Sequence, residues 1–174
     1  MKIGRLLLRV SVGGFFFGHG TQKLFGWFGG HGLDATAQAF DGMGLRPGKA
    51  NAIAAGAAEA GGGALLASGV ATPVAASVLT ATMITAIKTV HGSKGPWLTN
   101  GGYEYNVVLI AAVLALSESG RERPGRAAAA ALVIGALGSL GAHLAAAAAP
   151  AASVEAAEPA QAASEANGQP EANG

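Results

Sequence analysis

Between Ala50 and Pro73 the chain reads ANAIAAGAAEAGGGALLASGVATP, a stretch long enough to cross a bilayer in which Glu59 is the sole charge. A carboxylate at the centre of such a helix costs about 2.5–3.5 kcal/mol on insertion scales, so it needs a partner, a proton or a task. Candidates stand on the preceding apolar segment, VSVGGFFFGHGTQKLFGWF, which His19 and Lys23 interrupt. The two residues are four apart and share a helix face. A fold for this chain must therefore set the first two apolar segments side by side, polar groups facing inward.

Composition points the same way. Half of the 174 residues are apolar, 12% are charged, and 28 are glycine, a mixture that suits helices packing closely in lipid. The absence of cysteine removes disulfides, iron–sulfur ligation and thiol chemistry from what the chain does alone. A formal net charge of +1 gives no basis for nucleic-acid binding.

The expected class is all-α, a polytopic membrane bundle of four core transmembrane helices with an Ala-rich fifth and a disordered C-terminal tail. The spans are expected at about Gly4 to Phe28, Lys49 to Thr72, Pro73 to Val90, Tyr103 to Leu116 and Ala127 to Ala149. A tight hairpin is expected at Thr72-Pro73, because proline starts a helix well. In domain terms, 1–120 forms the four-helix membrane domain, 121–149 a basic loop with the fifth span, and 150–174 an acidic tail. That tail has four Glu, no Lys or Arg and too little apolar bulk to offset the entropy of ordering.

The N-terminus carries Lys2, Arg5 and Arg9 ahead of an apolar run, as a secretory signal does. The polar residues His19, Gln22 and Lys23 inside that run favour a retained first helix. Basic residues set the orientation. A cytoplasmic N-terminus puts Lys2, Arg5, Arg9, Arg121, Arg123 and Arg126 inside, and Arg46, Lys49, Lys88 and Lys94 outside. The tail then lies outside the cytoplasm. Trp27, Trp97, Tyr103 and Tyr105 all map to the outer interface, where amphipathic rings favour the headgroup region.

With this orientation, His19, Lys23 and Glu59 reach similar depth near the outer face and form the candidate intramembrane site. Arg9, Lys88, His91 and Glu104 are candidate peripheral residues. The segment Leu33 to Phe40 is amphipathic, with Leu33, Ala37 and Phe40 on one face, and suits a lid over the polar cluster. Gly14-Phe-Phe-Phe-Gly18 offers a small-xxx-small approach surface, as does Gly61-Gly62-Gly63 just after Glu59.

The order of Arg9-x3-Gly13, Phe17-x2-Gly20-x2-Lys23-Leu24, Glu59 with its glycines, Met83-x2-Ala86 and Gly102-x-Glu104 resembles the DoxX family of small bacterial membrane proteins over about Gly4 to Gly120. The resemblance implies a four-helix bundle of the bacterial cytoplasmic (inner) membrane associated with redox chemistry. It also implies partners: relatives are subunits of thiosulfate:quinone oxidoreductases, or are proposed to join complexes with a superoxide dismutase and a sulfurtransferase in oxidative-stress defence. Because this chain lacks cysteine, any sulfur exchange would belong to such a partner.

Three functional readings follow. His19, Lys23 and Glu59 bind a quinone head group or pass protons within an oxidoreductase complex, with no catalytic residue or metal assigned. Alternatively, Lys23 and Glu59 form an ion pair that holds two spans in register, in a scaffold protein without catalysis. In the third reading the chain is a small-solute carrier; lacking an inverted repeat, it would act as a homo-oligomer. Haem held by His19 and His143 is disfavoured, since scattered interfacial histidines are far commoner than axial pairs.

Overall fold

The computed structural model describes residues 3–118 together with 135, 137 and 139. Among them the chain is helical with no strand: α1 Ile3–Phe25, α2 Gly32–Gly42, α3 Gly48–Ser68, α4 Thr72–Ala86 and α5 Glu104–Glu118. A π-helical turn, Ile87–His91, and a 3-10 turn, Gly92–Lys94, extend α4. The fifth apolar segment lies largely outside the described residues, as do the basic loop and the tail. Of that segment, residues 135, 137 and 139 are helical, and the buried Ser139 hydroxyl sits 2.9 Å from the Thr85 hydroxyl of α4.

Helices α1 and α3 pack antiparallel with almost nothing between them. A methyl group on Gly13 would meet Ala67 N and Gly63 O at 2.7 Å, and one on Gly20 would strike Ala60 N and Gly56 O. Gly63 in turn lies against Gly13 O and Phe17 N. Each helix therefore carries glycines seven residues apart, Gly13 and Gly20 against Gly56 and Gly63, a spacing that keeps both on one face. The Gly14-x3-Gly18 surface plays no part in this: neither residue has anything within 4 Å of where a Cβ would stand. Of the Gly61-Gly62-Gly63 run, Gly61 is likewise open, whereas Gly62 abuts Leu79 of α4.

Local chemistry sets the helix ends. Asp41 Oδ1 of α2 accepts a hydrogen bond from Gly48 N at 2.7 Å, satisfying a donor at the start of α3. Gly69, left-handed at φ 80°, closes α3 with its N–H on Leu65 O and Leu66 O. The turn to α4 therefore comes at Gly69 to Ala71, slightly ahead of the expected Thr72-Pro73, and Pro73 stands in the first turn of α4, where its missing N–H costs nothing. The core gathers Val12 and Phe16 of α1, Leu66 of α3, Ala75, Ala76, Leu79 and Met83 of α4, and Val113 and Leu116 of α5.

The amphipathic segment expected as a lid is α2, packed against α1 and α3. Ala37 is buried and Leu33 and Phe40 half-buried, so the face predicted from spacing is the one turned inward. With α1 and α3 antiparallel and a short turn between α3 and α4, the end of α1, all of α2, the start of α3, the end of α4 and the start of α5 share one end of the bundle. Trp27, Trp97 and Tyr105 are more than half exposed there.

Among the described residues one helical run, Thr72–Lys94, is long and apolar enough to cross a membrane, with 23 residues and a mean hydropathy of 1.4. By length α1 and α3 would also suffice, at 23 and 21 residues, but Arg5, Arg9, His19 and Lys23 interrupt α1, and α3 is mostly Gly and Ala. α5 has 15 described residues, short of a ~30 Å core.

Candidate functional site

Lys23 projects from the last turn of α1 and Glu59 from the middle of α3, and the glycine contact between these helices brings them together. Lys23 Nζ donates to Glu59 Oε2 at 2.5 Å. The two ends of the pair differ in surroundings: the Glu59 side chain is 6% exposed, that of Lys23 26%. Water thus reaches the ammonium more readily than the carboxylate. Gly20 explains how so short a reach is met, because a side chain there would strike the backbone of α3, while one at Gly56 would collide with the Leu24 side chain of α1.

The pair stands on the wall of a cavity of about 730 Å³ between α1, α3, α4 and α5. Most of the lining is apolar or small: Val12, Phe15 and Phe16, then Ala54, Ala55 and Ala58, then Val78 and Ala81. From Ser77 of α4 to Val90 of the π turn that extends it, the lining runs over fourteen residues, thirteen steps that make about 20 Å at the α-helical rise. The shape is that of an elongated slot, and its volume lies within the range of small-molecule sites.

His19 lines this slot but is exposed, and its Nδ1 lies 3.0 Å from Gln22 Oε1. Gln22 Nε2 donates to Phe28 O at 3.2 Å. This fixes the amide so that Oε1 accepts and His19 Nδ1 donates. The buried triad expected from sequence thus resolves into a half-buried pair, whose carboxylate is the enclosed end, and a surface histidine beside it. His19 and Lys23 also border a smaller polar pocket of about 240 Å³ with Gln22, His31 and Thr36.

The peripheral candidates separate. Arg9 lies at the other end of the bundle, its guanidinium against Gly69 at the C-terminal end of α3, where the helix dipole favours a cation. Lys88 is exposed on the π turn. The Glu104 carboxylate accepts from Leu98 N at 2.7 Å and holds the loop before α5. His91 does line the cavity; its Nδ1 lies 2.7 Å from Gly101 O, and since a carbonyl only accepts, that nitrogen carries the proton.

Reading for charge misses Asn106. It is 7% exposed, lines the cavity, and its Nδ2 contacts Met83 Sδ at 3.5 Å. Its signal in the sequence is weak, a neutral amide opening the apolar run from Val107. Among the described residues no group of three or more His, Cys, Asp or Glu is placed to hold a metal. His143, the second residue of the haem pairing, lies outside the described residues. The arrangement can hold an elongated apolar molecule and offer hydrogen bonds from the ammonium, the imidazoles and an amide.

Comparison with known proteins fits this picture. Residues 4–92 match the family model for DoxX. The chain is also 38% identical over 118 residues to "Putative oxidoreductase CatD" of Bacillus subtilis (strain 168), an alignment covering 68% of this chain and 81% of that relative. No solved structure matches. These matches fit a membrane protein linked to redox chemistry, and they bear out the resemblance read from the motifs: the chain belongs to the DoxX family.

Proposed function

We propose that this protein is an integral membrane subunit of a redox-linked complex, and that its cavity receives the head group of a lipophilic carrier of the quinone class beside Lys23 and Glu59. The observation that carries this reading is an ion pair with a buried carboxylate on the wall of a long, mostly apolar slot of about 730 Å³. An apolar slot accepts a hydrocarbon tail through the hydrophobic effect, and the few polar groups orient the head. Lys23 serves as a hydrogen-bond donor to a carrier oxygen, with Glu59 holding its ammonium in place. The chemistry a quinone supplies when bound is the uptake and release of electrons with protons.

In this reading α1, α3, α4 and α5 are four crossings of the bacterial inner membrane, with the N-terminus cytoplasmic and the slot near the outer face. The exposed Trp27, Trp97 and Tyr105 at one end support that depth. Partners are a dismutase, a sulfurtransferase or other respiratory subunits, with self-association an additional arrangement. A second reading is a scaffold, favoured by the pair itself: Lys23 and Glu59 neutralise each other without any ligand.

The test is titration of the purified protein in micelles with a decyl-benzoquinone, together with affinity capture from detergent extracts. Saturable binding that weakens in Lys23→Met, and recovery of redox enzymes, support the carrier site. Wild-type protein that does not bind the quinone leaves the scaffold.

A further inference from the structure

Glu59 and Lys23 line the α1–α3 side of the slot, and the opposite wall holds polar groups that the ion pair does not use. Asn106, in the first turn of α5, is more than nine-tenths buried. Of its four hydrogen-bonding valences, one meets the soft thioether of Met83 at 3.5 Å, and among the described residues its side-chain carbonyl accepts nothing. Its oxygen is not among the fully enclosed polar atoms that lack a partner, so it opens onto the slot, where a ligand can complete its hydrogen bonding. His91 stands on the same wall. The π turn Ile87–His91 inserts an extra residue into the helical register, and Thr89, Val90 and His91 all line the slot. Because Nδ1 of His91 is committed to Gly101 O, its second nitrogen, Nε2, presents a lone pair.

We infer that Asn106 and His91 form a second polar pole, which binds an oxygen of the ligand across the slot from Lys23, at the same end of the bundle. The Asn106 amide donates to a carbonyl oxygen, and His91 Nε2 accepts from a hydroxyl, so the pole takes either form of an oxygenated ring. A ligand suited to both walls carries hydrogen-bonding oxygens on opposite sides of a flat apolar head. The inference rests on the slot being a ligand site, as proposed above, but assigns residues that the ion pair does not involve.

The experiment compares Asn106→Leu and His91→Phe with the wild type, full-length in micelles. Three probes are used: a decyl-benzoquinone, the corresponding decyl-hydroquinone, whose hydroxyls can donate, and decylbenzene, which has the same tail and no oxygen. Asn106→Leu is expected to weaken the quinone, and His91→Phe the hydroquinone, by roughly tenfold each, as loss of one hydrogen bond would, and both leave decylbenzene unchanged. Weakening of decylbenzene equal to that of the oxygenated probe, or no weakening of the oxygenated probe, overturns the second pole. Melting temperature without ligand gives an arm independent of the quinone. If the amide is held open for a ligand, Asn106→Leu, nearly equal in shape, keeps or raises the melting temperature of the empty protein. A lowered melting temperature means the amide already has its partner within the fold and overturns the inference. Should the wild type bind none of the probes, the carrier reading fails, and a raised melting temperature in Asn106→Leu would still support a polar pole awaiting another oxygenated ligand.

Discussion

Removing one end of the Lys23–Glu59 pair is expected to cost more than removing the other, and the asymmetry follows from exposure. In Lys23→Met a carboxylate 6% exposed loses its partner in an apolar wall, and stranding a buried charge costs about 3 kcal/mol or more. In Glu59→Gln the stranded group is an ammonium already 26% exposed beside the polar pocket of Gln22, His31 and Thr36. It can turn to water, so about 1–2 kcal/mol is expected. The double variant has no charge to strand and retains only a buried Gln amide, again about 1–2 kcal/mol. The coupling is therefore roughly 2–4 kcal/mol in a double-mutant cycle. Reversible unfolding in mixed micelles, followed by circular dichroism, measures all four species. Additivity within about 0.5 kcal/mol would show that the pair does not interact in the folded protein. A costlier Glu59→Gln would show that Lys23, not Glu59, is the poorly solvated end.

Three other outcomes are expected. Gly13→Ala and Gly20→Ala should each destabilise the protein by about 1–3 kcal/mol, because the added methyl meets backbone of α3, while Gly14→Ala and Gly18→Ala should be neutral or stabilising by up to about 1 kcal/mol; thermal melts compare all four. Thr85 donates to Ala81 O, so Ser139 must donate to Thr85, and Thr85→Val strands a hydroxyl 1% exposed; unfolding should show a loss of about 1–3 kcal/mol, larger than that of Ser139→Ala. The Lys49–Asp34 pair, 3.4 Å apart with side chains 65% and 85% exposed, should contribute no more than about 0.5 kcal/mol, so Asp34→Asn should leave the melting temperature within error in moderate salt.

The helices were legible because long apolar runs separated by Gly, Pro and charged turns leave little else to form. The partnership of Glu59 with Lys23 was legible too, since a lone carboxylate in such a run demands a counter-charge. Glycine contacts were misassigned at Gly14 and Gly18. Spacing gives the period of a helix face but not the angle at which that face meets its neighbour, and Gly13 lies one residue, about 100°, from Gly14. His19 shared a face with Lys23 as expected, yet its ring turned to Gln22, a neighbour three residues on. Asn106 escaped notice because a neutral amide draws attention only once it is known to be buried.

By itself the sequence determined that the chain is helical, that its first two long apolar segments must meet, and that a basic and an acidic side chain should face each other between them. Those conclusions follow from local pattern and from the cost of charge in an apolar surrounding, which hold in any arrangement. The rotation of α1 against α3, the slot between four helices and the second set of polar groups on its far wall were decided only by tertiary packing. Each depends on how closely particular backbones approach, a property of pairs of helices that no single stretch of residues contains.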